Sequence, residues 1–231
     1  YIPDAQEGLR ETVVTSAVDA EPQHIARITG PAWCTLWAAV FTGGAFIFPT
    51  FHLYWPAAIS AALAVSAVIY WLWTSTALVP EKPMKYAGLG LTLPTYVSGP
   101  KAPGWWGVCI TMLGDATAFA SLVFGVFFYW TARPDFPPEG ADHAHPAFVA
   151  PGLALAGGGA LIMALELPDM RPTSHVYPAM MWALVIWTCA HILAGVIMQL
   201  YCLAGSFAGK LTPRYDADLR NTMLFWHFIE I

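Results

Sequence analysis

Charge is the scarcest property of this sequence. Asp, Glu, Lys and Arg make up 11% of its 231 residues, against about 25% in an ordinary soluble domain. A disordered chain needs high charge and few apolar residues, and a nucleic-acid binder needs basic stripes, so both are excluded. A soluble globular enzyme is disfavoured, because so few charges cannot cover a protein surface of this size. The deficit is also uneven. No Asp, Glu, Lys or Arg occurs from Ile28 to Pro80, from His143 to Leu165 or from Pro172 to Gly209, and Asp115 is the only one between Lys101 and Arg133.

Other absences narrow the reading. The four cysteines, Cys34, Cys109, Cys189 and Cys202, lie in apolar segments without CxxC spacing, which argues against a disulfide framework or a zinc site. There is no GxSxG, no HExxH and no phosphate-binding loop. Residues 1–30 are polar and acidic, unlike a secretory signal. Strands are not expected, because a membrane barrel would alternate in short segments and these runs are long and apolar all round.

What is present is a set of apolar runs, and 57% of the residues are hydrophobic. A bilayer core of about 30 Å needs about 20 apolar residues per helix. The runs Pro31–Phe48, Pro56–Val79, Trp105–Trp130, Phe148–Leu165 and Pro178–Leu203 fit, and a sixth begins near Asn221. The expected fold is an all-α membrane protein, a transmembrane helix bundle of about six spans. Residues 1–30 form an extramembrane arm with a helical turn or two around Glu7–Val18. Residues 31–79 form a transmembrane hairpin, 80–104 a loop, and 105–231 a helix bundle whose last helix reads as incomplete. Of the 19 prolines only Pro151 falls inside a span, as expected from its cost in helix interiors. Tyr54, Trp55, Trp71, Trp73, Trp105, Trp106, Tyr129, Trp130 and Trp182 gather at segment ends, an interfacial aromatic belt. Counting alternate loops places six Lys or Arg on the N-terminal side and four on the other, a mild bias toward a cytoplasmic N-terminal arm.

Asp115 is the residue most in need of explanation. It falls near the middle of the third run, where an acidic side chain costs about 2.5–3.5 kcal/mol to insert, and such groups usually face a bundle or a wet cavity. It borders a stripe of small residues, Gly107, Thr111, Gly114, Ala118, Ser121 and Gly125, the kind of face on which helices approach closely. Two readings stay open: a proton-handling or lipid-contacting carboxyl, and a structural hydrogen-bond anchor. His52, His191 and His227 read foremost as hydrogen-bonded histidines, with haem ligation by His191 and His227 as the alternative. Asp142, His143 and His145 read as a solvated loop, and Glu166 and Asp169 as interfacial. The basic loop before the last span carries Arg214 and Arg220, which could meet lipid headgroups.

Three segments carry a resemblance. Pro103-Gly-Trp-Trp-Gly-Val-Cys-Ile-Thr-Met-Leu-Gly-Asp115-Ala-Thr-Ala-Phe-Ala-Ser-Leu resembles the helix of cytochrome c oxidase subunit III that bears a membrane-embedded carboxylate, usually Glu. His191-Ile-Leu-Ala-Gly195 resembles that family's His-Val-Leu-Gly-Gly helix, with Thr188 where a second His usually sits. Phe225-Trp-His227-Phe-Ile-Glu230 resembles the opening of its last helix. The arm from Glu7 to His24 is similar to the tail of subunit I in bacterial oxidases whose subunits I and III are fused. The resemblance implies five helices from the carboxylate helix onward. With Phe148–Leu165 counted as one crossing, the His191 helix runs opposite to the family's direction.

The implied role is a non-catalytic, subunit III-like component of an aa3-type oxidase in the bacterial inner membrane. Its partners would be subunits I and II, membrane lipids, and cytochrome c or another donor to the complex. Haem a and copper would belong to those partners or to a subunit I portion, with no metal and no cofactor in this chain except bound phospholipid. Asp115 and Glu230 would be the proton- or lipid-linked carboxyls. An accessory subunit of a nitric oxide reductase and a haem-binding membrane cytochrome are the alternatives.

Overall fold

The computed structural model describes residues 2, 10–28, 32–75, 82–136, 171 and 173–230. The chain divides into two compact units, Tyr1–Tyr96 and Val97–Ile231.

In the first unit the arm is a β-hairpin, not helical turns. Strand β1, Arg10–Thr15, pairs antiparallel with β2, Pro22–Ile28, in the register Glu11↔Arg27 and Val13↔Ile25. The run Thr12-Val13-Val14-Thr15 is β-branched throughout, which favours a pleated strand over a helix. The expected loop holds a second hairpin, β3 (Met84–Gly88) with β4 (Leu91–Pro94). The expectation of no strands therefore fails outside the apolar runs. Ile2, Ile25 and Leu93 are buried together against Val13 and Ala87. An ion cluster fastens one hairpin to the other. Lys85 Nζ donates to both Glu11 carboxylate oxygens at 2.6 and 2.8 Å, Arg27 stands 3.9 Å away, and the Glu11 side chain is only 2% exposed.

The turn between β3 and β4 places Leu89 (φ 53°) and Gly90 (φ 79°) in the left-handed region, as a two-residue hairpin turn of the primed type requires. Glycine accepts this freely, whereas a leucine at positive φ is strained. Leu89 is also fully exposed. Leu89→Asn is expected to raise the stability of this hairpin by up to about 1 kcal/mol, read as slower amide exchange across Met84–Pro94. Unchanged exchange would refute strain at this turn.

Helices α1 (Trp33–Thr50) and α2 (Tyr54–Ser75) form the expected tight apolar hairpin. The reversal is closed by the Phe51 and Leu53 amides donating to Phe48 O and the His52 amide to Pro49 O. His52 takes positive φ there and its Nδ1 is 3.1 Å from Tyr54 Oη. Gly44 permits the crossing, since a Cβ there would lie 2.9 Å from Ser60 Oγ.

The second unit begins with a 3-10 turn, Gly99–Lys101. Then come α3 (Pro103–Ala132), α4 (Val176–Phe207) and α5 (Ala217–Glu230). Four helices, Trp33–Thr50, Tyr54–Thr74, Pro103–Ala132 and Val176–Phe207, are long and apolar enough to cross a membrane. Their outer faces are oily, with Trp33, Phe46, Trp55, Ile110, Leu113 and Phe124 all exposed. Patches of that extent need an apolar solvent or a partner. Hydroxyls on these helices are satisfied internally: Thr42, Ser66, Thr117 and Ser121 donate to the carbonyls of Ala38, Ala62, Leu113 and Thr117. That is how a polar side chain is tolerated where water is absent. The last helix begins at Ala217, four residues ahead of the expected start at Asn221.

Helices α3 and α4 are antiparallel. Near the α3 C-terminus, Phe136 packs with Tyr177 and Met181 from the start of α4, and a Cβ on Gly125 would meet Met180 Cε at 3.0 Å. The expected fourth span, Phe148–Leu165, lies outside the described residues, as do Asp142, His143, His145, Glu166 and Asp169. The residues flanking that stretch, Phe136 and His175, lie at one end of the helix pair with their rings stacked. The parallel direction expected for these two helices is therefore corrected to antiparallel.

Candidate functional site

The helix lengths set the depth of the site. The 30 residues of α3 and 32 of α4 extend roughly 45–50 Å at about 1.5 Å per residue, more than a bilayer core. Asp115 lies near the midpoint of α3 and His191 at that of α4. Antiparallel packing brings midpoints to one level.

There the two side chains meet: His191 Nε2 is 3.4 Å from Asp115 Oδ2. The imidazole is oriented from its own helix. Its Nδ1 lies 2.8 Å from the Trp187 carbonyl, one turn earlier, and a carbonyl only accepts, so Nδ1 carries a proton. In a neutral ring Nε2 is then a bare lone pair facing a carboxylate oxygen. The contact is attractive only when one further proton sits on the pair, as imidazolium with carboxylate or imidazole with carboxylic acid. These two arrangements have equal total charge.

Aromatic rings enclose the imidazole. Trp187 lies 5.1 Å away between centroids and Phe225 of α5 stacks at 6.3 Å with 17° between planes. Helix α5 reaches this position because Gly195 has no side chain. A Cβ there would stand 3.0 and 3.1 Å from Trp226 ring atoms and 3.4 Å from Ile229 Cδ1. Two turns further along α4, buried Cys202 Sγ is 3.3 Å from Thr222 Oγ1. The Thr222 hydroxyl donates to Asp218 O at 2.8 Å, so the thiol is the donor to Thr222.

Beside the pair lies a groove of about 540 Å³ between α3 and α4, lined by Ala118, Ser121, Leu122, Ala183, Ile186, Trp187 and Ala190. Alanines at three of these positions, Ala118, Ala183 and Ala190, leave the room. The walls are almost wholly apolar, so the groove suits a hydrocarbon chain better than a polar ligand.

The other expected site residues distribute differently. The small-residue stripe is only partly a packing face: Ala118 lines the groove and Gly125 meets Met180, while Thr111 and Ser121 are exposed. Among the described residues nothing comes within 4 Å of a Cβ at Gly107 or Gly114. The face that is at least half-buried runs through Trp105, Val108, Met112, Asp115, Leu122, Val126 and Tyr129, rotated by about one residue from the stripe. His227 is exposed, away from the imidazole of His191. Both His191 nitrogens face protein groups, Trp187 O and Asp115 Oδ2. Arg220 Nε holds Asp216 at 2.6 Å, and Arg214 lies exposed with its guanidinium 5.6 Å from the Tyr215 ring centre. The Glu230 side chain lies outside what is described.

Trp187, Phe225 and Trp226 were not singled out from the sequence as site residues. A signal for Trp187 was its position one helical turn before His191. No family model, curated protein or solved structure matches this chain.

Proposed function

We propose that this chain is the subunit III-like, non-catalytic component of an aa3-type cytochrome c oxidase, supporting assembly, lipid binding and steady proton uptake during oxygen reduction. The observation that carries the reading is convergence. The three segments on which the resemblance rests are far apart in sequence, yet Asp115, His191 and Phe225 belong to one contact cluster. The antiparallel course of α3 and α4 also agrees with the relative direction that the resemblance implies. In this role the Asp115–His191 pair is a mid-membrane proton store, and the adjoining groove takes a phospholipid acyl chain. Haem a, copper and oxygen chemistry belong to the partner subunits.

The charge distribution supports a cytoplasmic N-terminal arm. In the first unit Arg10, Arg27, Lys82 and Lys85 all flank the open ends of the helix hairpin, with none at its turn. In the second, Lys101, Lys210, Arg214 and Arg220 lie at one end of the bundle and Arg133 and Arg171 at the other. Within each unit the basic residues gather at one end of the helices, the asymmetry on which the positive-inside rule rests.

Affinity purification from native membranes in mild detergent tests the reading. The chain is expected to bring down haem a and copper in fixed ratio with oxygen-consuming activity. In that complex Asp115→Asn should preserve assembly and shorten the number of turnovers before inactivation. Recovery with nitric-oxide-reducing activity, or as a coloured haem protein on its own, would overturn the proposal, as would unchanged turnover life in the variant.

A further inference from the structure

A second histidine–carboxylate contact sits outside the apolar runs, where α3 ends and α4 begins. His175 is the N-cap residue of α4, and its Nδ1 accepts the Tyr177 backbone amide at 3.2 Å. An accepting Nδ1 carries no proton, so the neutral ring holds its proton on Nε2. That nitrogen stands 3.4 Å from Asp135 Oδ2, just past the end of α3. Phe136 stacks on the imidazole, with ring centroids 6.4 Å apart at 25°, and meets Tyr177 edge-on at 5.4 Å. The same residue thus caps one helix, bonds the end of the other and covers a buried aromatic cluster.

The two bonds make opposite demands. A second proton would go to Nδ1 and point at the Tyr177 N–H, a donor facing a donor, so the cap is lost. The same proton strengthens the bond to Asp135, now a charged pair. Asp135 is ready for this, because its own backbone hydrogen bond, then the His175 contact, hold its carboxyl below the ordinary aspartate range. The described charged groups on the imidazole's side are Asp135 and, 3.4 Å beyond it, Arg133. On α4 the nearest titratable neighbour is Tyr177.

We propose that His175 is a proton-operated cap. Neutral, it closes the first turn of α4. Protonated, it transfers its hold to Asp135 and releases that turn, so the acidity at this membrane face sets how firmly α3 and α4 are joined. The Asp135 contribution is present above the ordinary carboxylate range and is lost only as pH falls through its depressed value.

The test is hydrogen exchange of the full chain in detergent between about pH 8 and pH 5, corrected for intrinsic rates and read on peptides covering Val176–Met181. A cap is worth about 1 kcal/mol, so its loss should speed exchange of this turn about fivefold. The wild type is expected to show that increase on acidification. His175→Asn, which caps at every pH, should stay slow throughout, and His175→Ala should be fast throughout. Nitrogen chemical shifts of the labelled His175 ring should report an unprotonated Nδ1 at the alkaline end. A flat wild-type profile, an acid response that survives in His175→Asn, or a protonated Nδ1 at alkaline pH would overturn the proposal.

Discussion

Replacing His191 with leucine should destabilise the bundle more than replacing Asp115 with leucine, and making both changes should cost less than their sum. The asymmetry follows from what each variant leaves behind. Without Asp115, the imidazole keeps its Nδ1 bond to Trp187 O and can stay neutral, losing only the Nε2 contact. Without His191, a carboxyl 29% exposed is left near the midpoint of a long apolar helix with no described partner. A carboxylate there costs about 2.5–3.5 kcal/mol by insertion scales, and removing one member of a buried pair costs more than removing both. We expect about 1 kcal/mol for Asp115→Leu and about 2–3 kcal/mol for His191→Leu, with the double variant recovering at least half of the larger loss. Unfolding in detergent across the double-mutant cycle measures this. Strict additivity would show that the two groups do not act as a pair.

The carboxylate was legible in the sequence, because a lone Asp in a long uncharged run has few tolerable environments. Its partner was not. His191 and Asp115 are joined by the packing of two helices far apart in the chain, and helical periodicity says nothing about which helices meet. Their common depth was readable in principle, since each lies near the middle of its run. What was missing was the direction of α4 relative to α3, which depended on how the residues between them were counted. The corrected direction is fixed by Phe136, Tyr177 and Met181 at one end of the pair.

The stripe of small residues illustrates a different limit. Gly107 and Gly114 mark where a helix could approach, but the face in use is one residue around, where Met112, Leu122 and Tyr129 supply contact area. Small residues permit close approach, whereas larger ones give the dispersion contacts that hold helices together without a hydrophobic drive. The hairpins in the arm and in the 80–104 loop were missed for a simpler reason. Two-stranded sheets of four to seven residues carry too little alternation to stand out, and the β-branched run Thr12–Thr15 was the only local signal. Their stability rests on contacts invisible in sequence, above all the Glu11–Lys85 bridge.

Gly195→Val should have the other large effect, and it tests whether the site depends on α5. The added Cβ would stand 3.0 Å from Trp226 Cζ2, and the two γ-methyls would press further into the indole. That ring cannot swing aside cheaply, because Ile229 closes the same side at 3.4 Å. The strain is relieved by moving α5 away from α4, at about 1–3 kcal/mol for overpacking. Phe225 is the residue before Trp226, so the displacement also loosens its stacking on His191 and opens the Asp115–His191 contact. A lower unfolding temperature in detergent is expected and, on the proposed function, a shortened turnover life of the assembled complex. Adding Trp226→Leu should restore much of the stability by vacating the volume that the valine needs. It should not restore the turnover life to the same extent, because the wall of the site is thinner. Wild-type unfolding in Gly195→Val would mean that α5 is not seated on Gly195, and the enclosure of His191 by Phe225 would lose its basis.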